Sequence, residues 1–251
     1  MKNALIYTVV FAAIEILVGS LVLLAYQLIK GNGAELDATG AIISSGIAGV
    51  ASITIFLMAK WAVVSRHWVR TRPWTVLFWC VIAALGSLIP SSWLQELMPE
   101  LPNTAEKAFD MIMKERWGYF VVGLLAPLSE ELVFRGAVLR ELLRWKKNPW
   151  IGIVISAFLF SLIHMNPVQI PHTFMIGLLL GWLYYRTDSI VPGVVWHWVN
   201  NTIAYVVYNL TNTDETLLEF FGSQQRVLMA VGFSLMIFLP ALYQLNLRLS
   251  K

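Results

Sequence analysis

The chain has 251 residues, of which 58% are hydrophobic and only 13% are charged, and its net charge is +3. Soluble domains carry about 25% charged residues, so this chain lacks the polar surface that a soluble globular protein needs. With a mean hydropathy of +0.67, the composition predicts an all-α, polytopic integral membrane protein.

Hydrophobic runs long enough to cross about 30 Å of hydrocarbon predict a helical bundle of about eight transmembrane helices. The third run is short and ends in SLIPSSW, so we expect that helix to be tilted or broken. No cleavable signal pattern is present, and the first run is expected to be a retained anchor. In chain order, the runs are 4–29, 41–64, 74–90, 117–143, 150–166, 171–185, 189–208 and 227–245.

The chain contains no visible internal repeat or soluble segment. We therefore expect one transmembrane domain over residues 1–251, with a motif-bearing core at about 117–208. Twelve of the 18 Lys and Arg residues fall on one side of the eight runs and five on the other, which predicts that both termini are cytoplasmic. The basic cluster at 66–74 is interpreted as a topology determinant that faces anionic lipid, and we expect no nucleic acid partner.

The fourth run contains three charges in the stretch PLSEELVFRG, residues 127–136. Each Asp, Lys or Arg near the centre of a membrane helix costs roughly 2.5–3.5 kcal/mol, so these charges need partners inside the bundle. Glu131 and Arg135 are four residues apart in the order that favours a helical ion pair. Glu130 is not part of that pair. Either the charges only hold helices together, or Glu130 belongs to a functional site.

Two later runs carry further polar residues at helical spacing. Phe160 and His164 share one helix face, and His197 and Asn201 share another. At 1.5 Å per residue, Glu130, His164 and Asn201 each lie about 20 Å from the predicted cytoplasmic ends of their helices. His197 lies about 14 Å from its own end by the same rise. Residues at these depths could meet inside one bundle.

These residue types favour hydrolysis without a covalent intermediate. Glu130 could act as the general base on a water molecule that His164 orients. His197 and Asn201 could donate hydrogen bonds to the oxyanion formed at a peptide carbonyl. No serine lies in a recognisable nucleophile setting, and nothing ties Cys80 to a histidine, so nucleophilic catalysis is disfavoured.

The motifs EELVFR, FSLIH and HWVNN read as EExxxR, FxxxH and HxxxN, and over about residues 117–208 they resemble the family of CAAX prenyl proteases and bacteriocin-processing enzymes (CPBP). The resemblance implies an eight-helix intramembrane endopeptidase of the glutamic type without a cofactor. Its substrate would be a peptide or protein, with lipidated or membrane-anchored peptides among the candidates. The implied site residues, with Arg135 and Phe160 in support, are Glu130, Glu131, His164, His197 and Asn201.

Two other interpretations remain open. A zinc peptidase could use His164, His197 and a glutamate as ligands, although the chain has no HExxH motif. A non-catalytic membrane scaffold or immunity protein could use the same polar residues for helix association. Glu15 is another acid within a hydrophobic run and could face the bundle or the site. We expect His172 to lie in a loop.

Overall fold

A computed structural model describes residues 1–31, 37–65, 73–210 and 215–249. This part of the chain is helical and contains no strand, which confirms the all-α prediction. The basic cluster predicted as a topology determinant lies outside the described residues, except for its last two members.

The helices follow the predicted hydrophobic runs in chain order. We number them α1 (Lys2–Lys30), α2 (Ala38–Met58), α3 (Trp74–Glu96), α4 (Glu106–Met113), α5 (Ala126–Val133), α6 (Arg140–Trp145), α7 (Pro149–Leu162), α8 (Ile170–Thr187), α9 (Val191–Leu210), α10 (Leu217–Phe221) and α11 (Gln224–Arg248). Two π-helical segments, Phe120–Leu125 and Phe134–Leu139, join α5 to its neighbours, so residues 120–145 form one continuous helix. We call it the motif helix.

By length and composition, four of the described helices could span a membrane: α1, α2, α3 and α11. Helix α7 is apolar but shorter. Each of the other predicted runs lies in a helix that also carries polar or charged side chains. The chain is therefore an all-α integral membrane bundle, and the number of eight spans stays a prediction.

Three predicted boundaries differ clearly from the structure. Helix α7 ends at Leu162 rather than at 166, so His164 lies in the turn after the helix and not on its face. Helix α3 continues six residues beyond the predicted end at 90 and includes Pro90, because the rest of the SLIPSSW stretch stays helical. Helix α2 ends at Met58 rather than at 64. Lys60 has a left-handed backbone with φ 57°, a conformation that does not continue a helix.

The motif helix lies in the larger of two buried apolar clusters. Its residues 132–134, 137–139 and 142 pack there with α1, α7 and Tyr184 of α8. The second cluster joins α3 and α11 to α8 and α9. The pairs α1 with α2, α7 with α8, and α3 with α11 run along each other. The motif helix is thus packed by several helices, which brings distant parts of the sequence to its polar residues.

Candidate active site

The EExxxR motif lies where the motif helix changes its hydrogen-bonding pattern. Glu130 and Glu131 are in α5, and Arg135 is in the second π-helical segment. π-helical turns inside α-helices are rare and are frequently found at functional sites. Here they flank α5 at both ends and therefore change the direction in which successive side chains leave the helix.

Glu131 and Arg135 form a fully buried ion pair. Arg135 Nη1 donates to Glu131 Oε1 at 2.8 Å, and the two side chains are 0% and 1% exposed. Arg135 Nη2 also donates to the carbonyl oxygen of Gly177 in α8, at 3.2 Å. The guanidinium lies 4.6 Å from the ring centroid of Phe160, a distance typical of a cation–π contact. The i,i+4 spacing predicted this pair, and the partners on α7 and α8 stabilise it.

Helix α9 approaches the motif helix at Glu131. A Cβ atom added to Gly193 would lie only 2.6 Å from Glu131 Oε2, so only glycine permits this close approach. One turn further along α9, His197 Nδ1 lies 3.3 Å from Glu131 Oε1. Glu131 thus contacts α9 through both carboxylate oxygens.

His197 lies between the two adjacent glutamates. Its Nδ1 faces Glu131, and its Nε2 is 3.8 Å from Glu130 Oε2. Because an ionised carboxylate can only accept a hydrogen bond, Nδ1 carries a proton. Nε2 can then donate only when the ring carries both protons. In that state the imidazolium is flanked by two carboxylates.

His164 lies just beyond the end of α7. Its Nδ1 is 2.9 Å from the carbonyl oxygen of Phe160. A carbonyl oxygen only accepts, so Nδ1 is the donor and Nε2 of the neutral ring keeps its lone pair. The ring also makes an edge contact with Phe160 at 5.0 Å between centroids. The FxxxH spacing therefore sets both the orientation and the tautomer of His164.

Asn201 connects α9 to the first π-helical segment. Its Nδ2 donates to the carbonyl oxygen of Val122 at 3.0 Å, and its Oδ1 accepts from Asn200 Nδ2 at 3.3 Å. The second proton on Nδ2 is not used by either of these bonds. This geometry leaves Asn201 able to donate one further hydrogen bond.

A cavity of about 230 Å³ brings several of these elements together. Glu130 and His164 both line it. Glu15 of α1 lines it as well, and its Oε1 accepts from Ser52 of α2 at 2.8 Å. The further lining residues are Phe11, Ala12, Ser45, Gly49, Val121, Leu125, Ala126, Ser129, Ile163 and Met165. Glu15 therefore faces the cavity, one of the two positions left open for it by the sequence.

An apolar groove of about 520 Å³ lies beside this cavity. Residues of α2 form one wall, and residues of the first π-helical segment together with Trp117 form the other. Val121 and Leu125 line both the groove and the cavity. The two spaces are thus separated by shared side chains.

The structure corrects one expectation from the sequence and adds two residues that the sequence did not single out. His172 lies in the first turn of α8 rather than in a loop, because the helix begins at Ile170. Gly177 and Gly193, whose roles depend on helix contacts, were not singled out from the sequence. Glycines in membrane helices often mark close helix contacts, and that signal could have identified both.

The described residues do not fit a zinc site. In this part of the chain, no three His, Cys, Asp or Glu side chains lie close enough together to hold a metal ion. We therefore derive no step through a metal.

Comparison with known proteins finds a family model that is similar to this core. Residues 113–203 match the family model described as "Type II CAAX prenyl endopeptidase Rce1-like". The matched segment contains all three motifs and the residues around the cavity on the motif helix. Over this segment the chain is similar to the CAAX prenyl endopeptidases, as the three motifs suggested.

Two curated relatives match parts of the chain. The chain is 30% identical over 118 residues to "Membrane-embedded CAAX protease MroQ" of Staphylococcus aureus. The aligned region covers 45% of this chain and 47% of the relative. The chain is also 21% identical over 138 residues to "UPF0177 protein YxdF" of Lactococcus lactis. That aligned region covers 54% of this chain and 68% of the relative. No solved structure matches the chain.

Proposed function

We propose that the protein is an intramembrane endopeptidase of the CAAX-protease type that hydrolyses a peptide bond with a glutamate-activated water. One observation carries the proposal: Glu130 of the motif helix and His164 of the turn after α7 line the same cavity in the membrane-embedded core. The similarity of the core to known CAAX proteases supports a membrane protease, without specifying its catalytic mechanism.

In the proposed reaction, water enters the cavity between Glu130 and His164. Glu130 accepts a proton from the water, and His164 Nε2 accepts a hydrogen bond that orients it. The hydroxide oxygen forms a bond to the carbonyl carbon of the peptide, and a tetrahedral oxyanion results. When the C–N bond breaks, the proton held by Glu130 passes to the leaving nitrogen, which restores the carboxylate.

His197 and Asn201 would stabilise the oxyanion. The doubly protonated ring of His197 can donate from Nε2, while Nδ1 stays bonded to Glu131. Asn201 can donate with the amide proton that Val122 does not use. Donors aimed at the developing charge are often the largest catalytic contribution in acyl transfer.

Glu131 and Arg135 would act by holding His197 in place. The carboxylate of Glu131 receives Arg135 on one side and His197 on the other, and Phe160 packs against both the guanidinium and the ring of His164. In this proposal Glu130 is the base, because it lines the cavity while Glu131 is fully buried.

The apolar groove suggests the class of substrate. It is lined only by hydrophobic side chains and glycine, and it adjoins the cavity at Val121 and Leu125. An apolar part of the substrate, either a membrane-anchored segment or a lipid chain, could lie in the groove while the peptide enters the cavity. We therefore propose lipidated or membrane-anchored peptides as substrates of a single-domain enzyme with cytoplasmic termini.

The test is cleavage of a panel of membrane-anchored and lipidated peptides by purified protein in bilayers. Wild type is compared with Glu130→Gln and His164→Ala, and with Glu106→Gln as a control that removes an exposed carboxylate of α4. We expect both site variants to lose cleavage and the control to retain it, with no effect of chelator.

Other outcomes would favour other interpretations. Activity that disappears with chelator and returns with added zinc would favour a metallopeptidase. Cleavage that persists in both site variants would contradict the proposed mechanism. If no peptide is cleaved and Glu130→Gln retains the full biological effect, a non-catalytic scaffold would replace the enzyme.

A further inference from the structure

Asn166 is a buried polar residue that the proposed chemistry does not use. It lies two residues after His164 and is only 1% exposed. Burying an amide is costly unless it is hydrogen-bonded. Both ends of this amide are bonded to a segment more than 60 residues earlier in the chain.

That segment is residues 102–104, which we call the strap. Asn166 Nδ2 donates to Asn103 Oδ1 at 2.8 Å, and Asn166 Oδ1 accepts from the backbone N–H of Thr104 at 3.1 Å. The strap lies between α3 and α4, and Asn103 and Thr104 are exposed. The buried side chain therefore bonds to a connecting loop rather than to another helix.

Two more hydrogen bonds join the strap to the same turn. Thr104 Oγ1 donates to the carbonyl oxygen of Met165 at 3.2 Å, and the N–H of Val168 donates to the carbonyl oxygen of Pro102 at 3.3 Å. With the two bonds of Asn166, four hydrogen bonds hold residues 165–168.

The turn that these bonds hold is strained. Met165 has a left-handed backbone with φ 48°, which is sterically unfavourable for a non-glycine residue. Ile163, His164 and Met165 are the three consecutive residues that line the cavity from this side. This turn directly follows His164, so it supports the orientation that the bond to Phe160 gives the ring, and the strap opposes relaxation of the turn.

We propose that Asn166 is a positioning residue that holds His164 in the cavity through the strap. This inference rests on the proposed function, because it assigns His164 a role in orienting water. A small misplacement of a reacting group can lower the rate about 100-fold. Asn166 acts through His164 and does not touch the substrate.

The first test compares kinetics of Asn166→Ala with wild type. We expect kcat to fall at least about tenfold while KM stays within about twofold, because the groove and Glu130 are unchanged. Asn209→Ala is the matched control, since its Nδ2 donates to the carbonyl oxygen of Met113 at a helix contact unconnected to His164. That control should retain its kcat.

Two conservative variants separate positioning from general destabilisation. Asn103→Asp keeps an acceptor for Asn166, and Asn166→Asp can accept from Asn103 once that amide rotates, so each should retain most of the activity. The double variant places two carboxylates opposite each other and should lose at least about tenfold in kcat. A structural role alone would lower thermal stability in parallel and leave kcat of the folded protein unchanged.

A second readout needs no substrate. Diethyl pyrocarbonate modifies unprotonated imidazole nitrogens, and mass spectrometry can compare His164 with His172 in the same protein. We expect Asn166→Ala to raise the modification rate of His164 relative to His172. If wild type cleaves no peptide, the proposed function fails, while this readout still tests the strap. Unchanged modification together with unchanged kcat would overturn the inference.

Discussion

The carboxylate of Glu131 lies directly against the backbone of Gly193, where an added Cβ would be 2.6 Å from Oε2. The other oxygen of Glu131 is shared by Arg135 at 2.8 Å and His197 at 3.3 Å. The motif helix and α9 therefore meet through a buried charge that has no space to move. This contact determines the distance between the EExxxR and HxxxN motifs.

Replacement of Gly193 by alanine should disturb this contact. We expect Gly193→Ala to lower the free energy of unfolding by about 1–3 kcal/mol, because an overpacked site forces side chains and backbone to shift. Thermal unfolding in detergent measures the change. Gly232→Ala is the control, since nothing lies within 4 Å of its added Cβ, and it should be neutral or stabilising. Equal melting temperatures for all three proteins would contradict the close approach.

Removal of Arg135 should be among the most damaging single changes in the core. Arg135→Met leaves the buried carboxylate of Glu131 without its cation, which typically costs about 3–5 kcal/mol. The double variant Glu131→Gln with Arg135→Met should lose less than the sum of the two single changes. Lys114→Met, which removes an exposed ion pair with Asp110, should unfold almost as wild type does. Additive losses would show that the buried pair is not coupled.

The proposed oxyanion donor on α9 can be removed with little change in shape. Asn201→Asp eliminates the amide protons, and kcat should fall by about 10²–10³, the effect of losing one such donor. KM should change much less, because the donor acts mainly in the transition state. Asn209→Asp, two turns later on α9, provides the control. A variant with unchanged kcat would remove Asn201 from the mechanism.

The contact between α4 and α9 should weaken in acid. Asp110 accepts from the Tyr208 hydroxyl and from Lys114, and these bonds lower the pKa of Asp110 from its ordinary value of 3.8. A lowered pKa in the folded state stabilises the fold above the ordinary value, and this contribution is lost as the pH falls through the folded-state pKa. After correction for the intrinsic chemical rate, the protection of α4 amides against hydrogen exchange should therefore be constant above about pH 5 and decrease below about pH 4.

The same experiment on Asp110→Asn provides the comparison. The amide oxygen can still accept from Tyr208 but does not titrate in this range. We expect α4 exchange in this variant to lose the acid-dependent increase after correction for the intrinsic chemical rate. An identical acid response in both proteins would attribute the effect to another group.

The proposed orientation can be tested with single cysteines. Cys80 is the only native cysteine and is 0% exposed, so it should give a low background with a membrane-impermeant maleimide. Asn3→Cys should be labelled only from the cytoplasmic side, and Glu219→Cys, between α9 and α11, only from the opposite side. The reverse pattern would invert the predicted topology.

The amino-acid sequence by itself determined the membrane environment, the all-α class and the local pairs of the candidate site. A composition this apolar indicates a lipid environment. A spacing of four residues in a helical segment brings Arg135 next to Glu131 and His164 close to Phe160. The resemblance of the core to CAAX proteases is likewise readable from three short motifs. The roles of these residues and the orientation in the membrane stay predictions.

Only the tertiary structure decided which side chains share the cavity and what holds them there. Glu15 and Glu130 line the same cavity although they are more than 100 residues apart in the sequence. Gly193 is important because it lets α9 contact the Glu131 carboxylate of the motif helix. Asn166 is paired with a strap that no local spacing connects to it. Such contacts depend on how whole helices pack, and helix packing is set by the sum of many weak contacts rather than by any short segment.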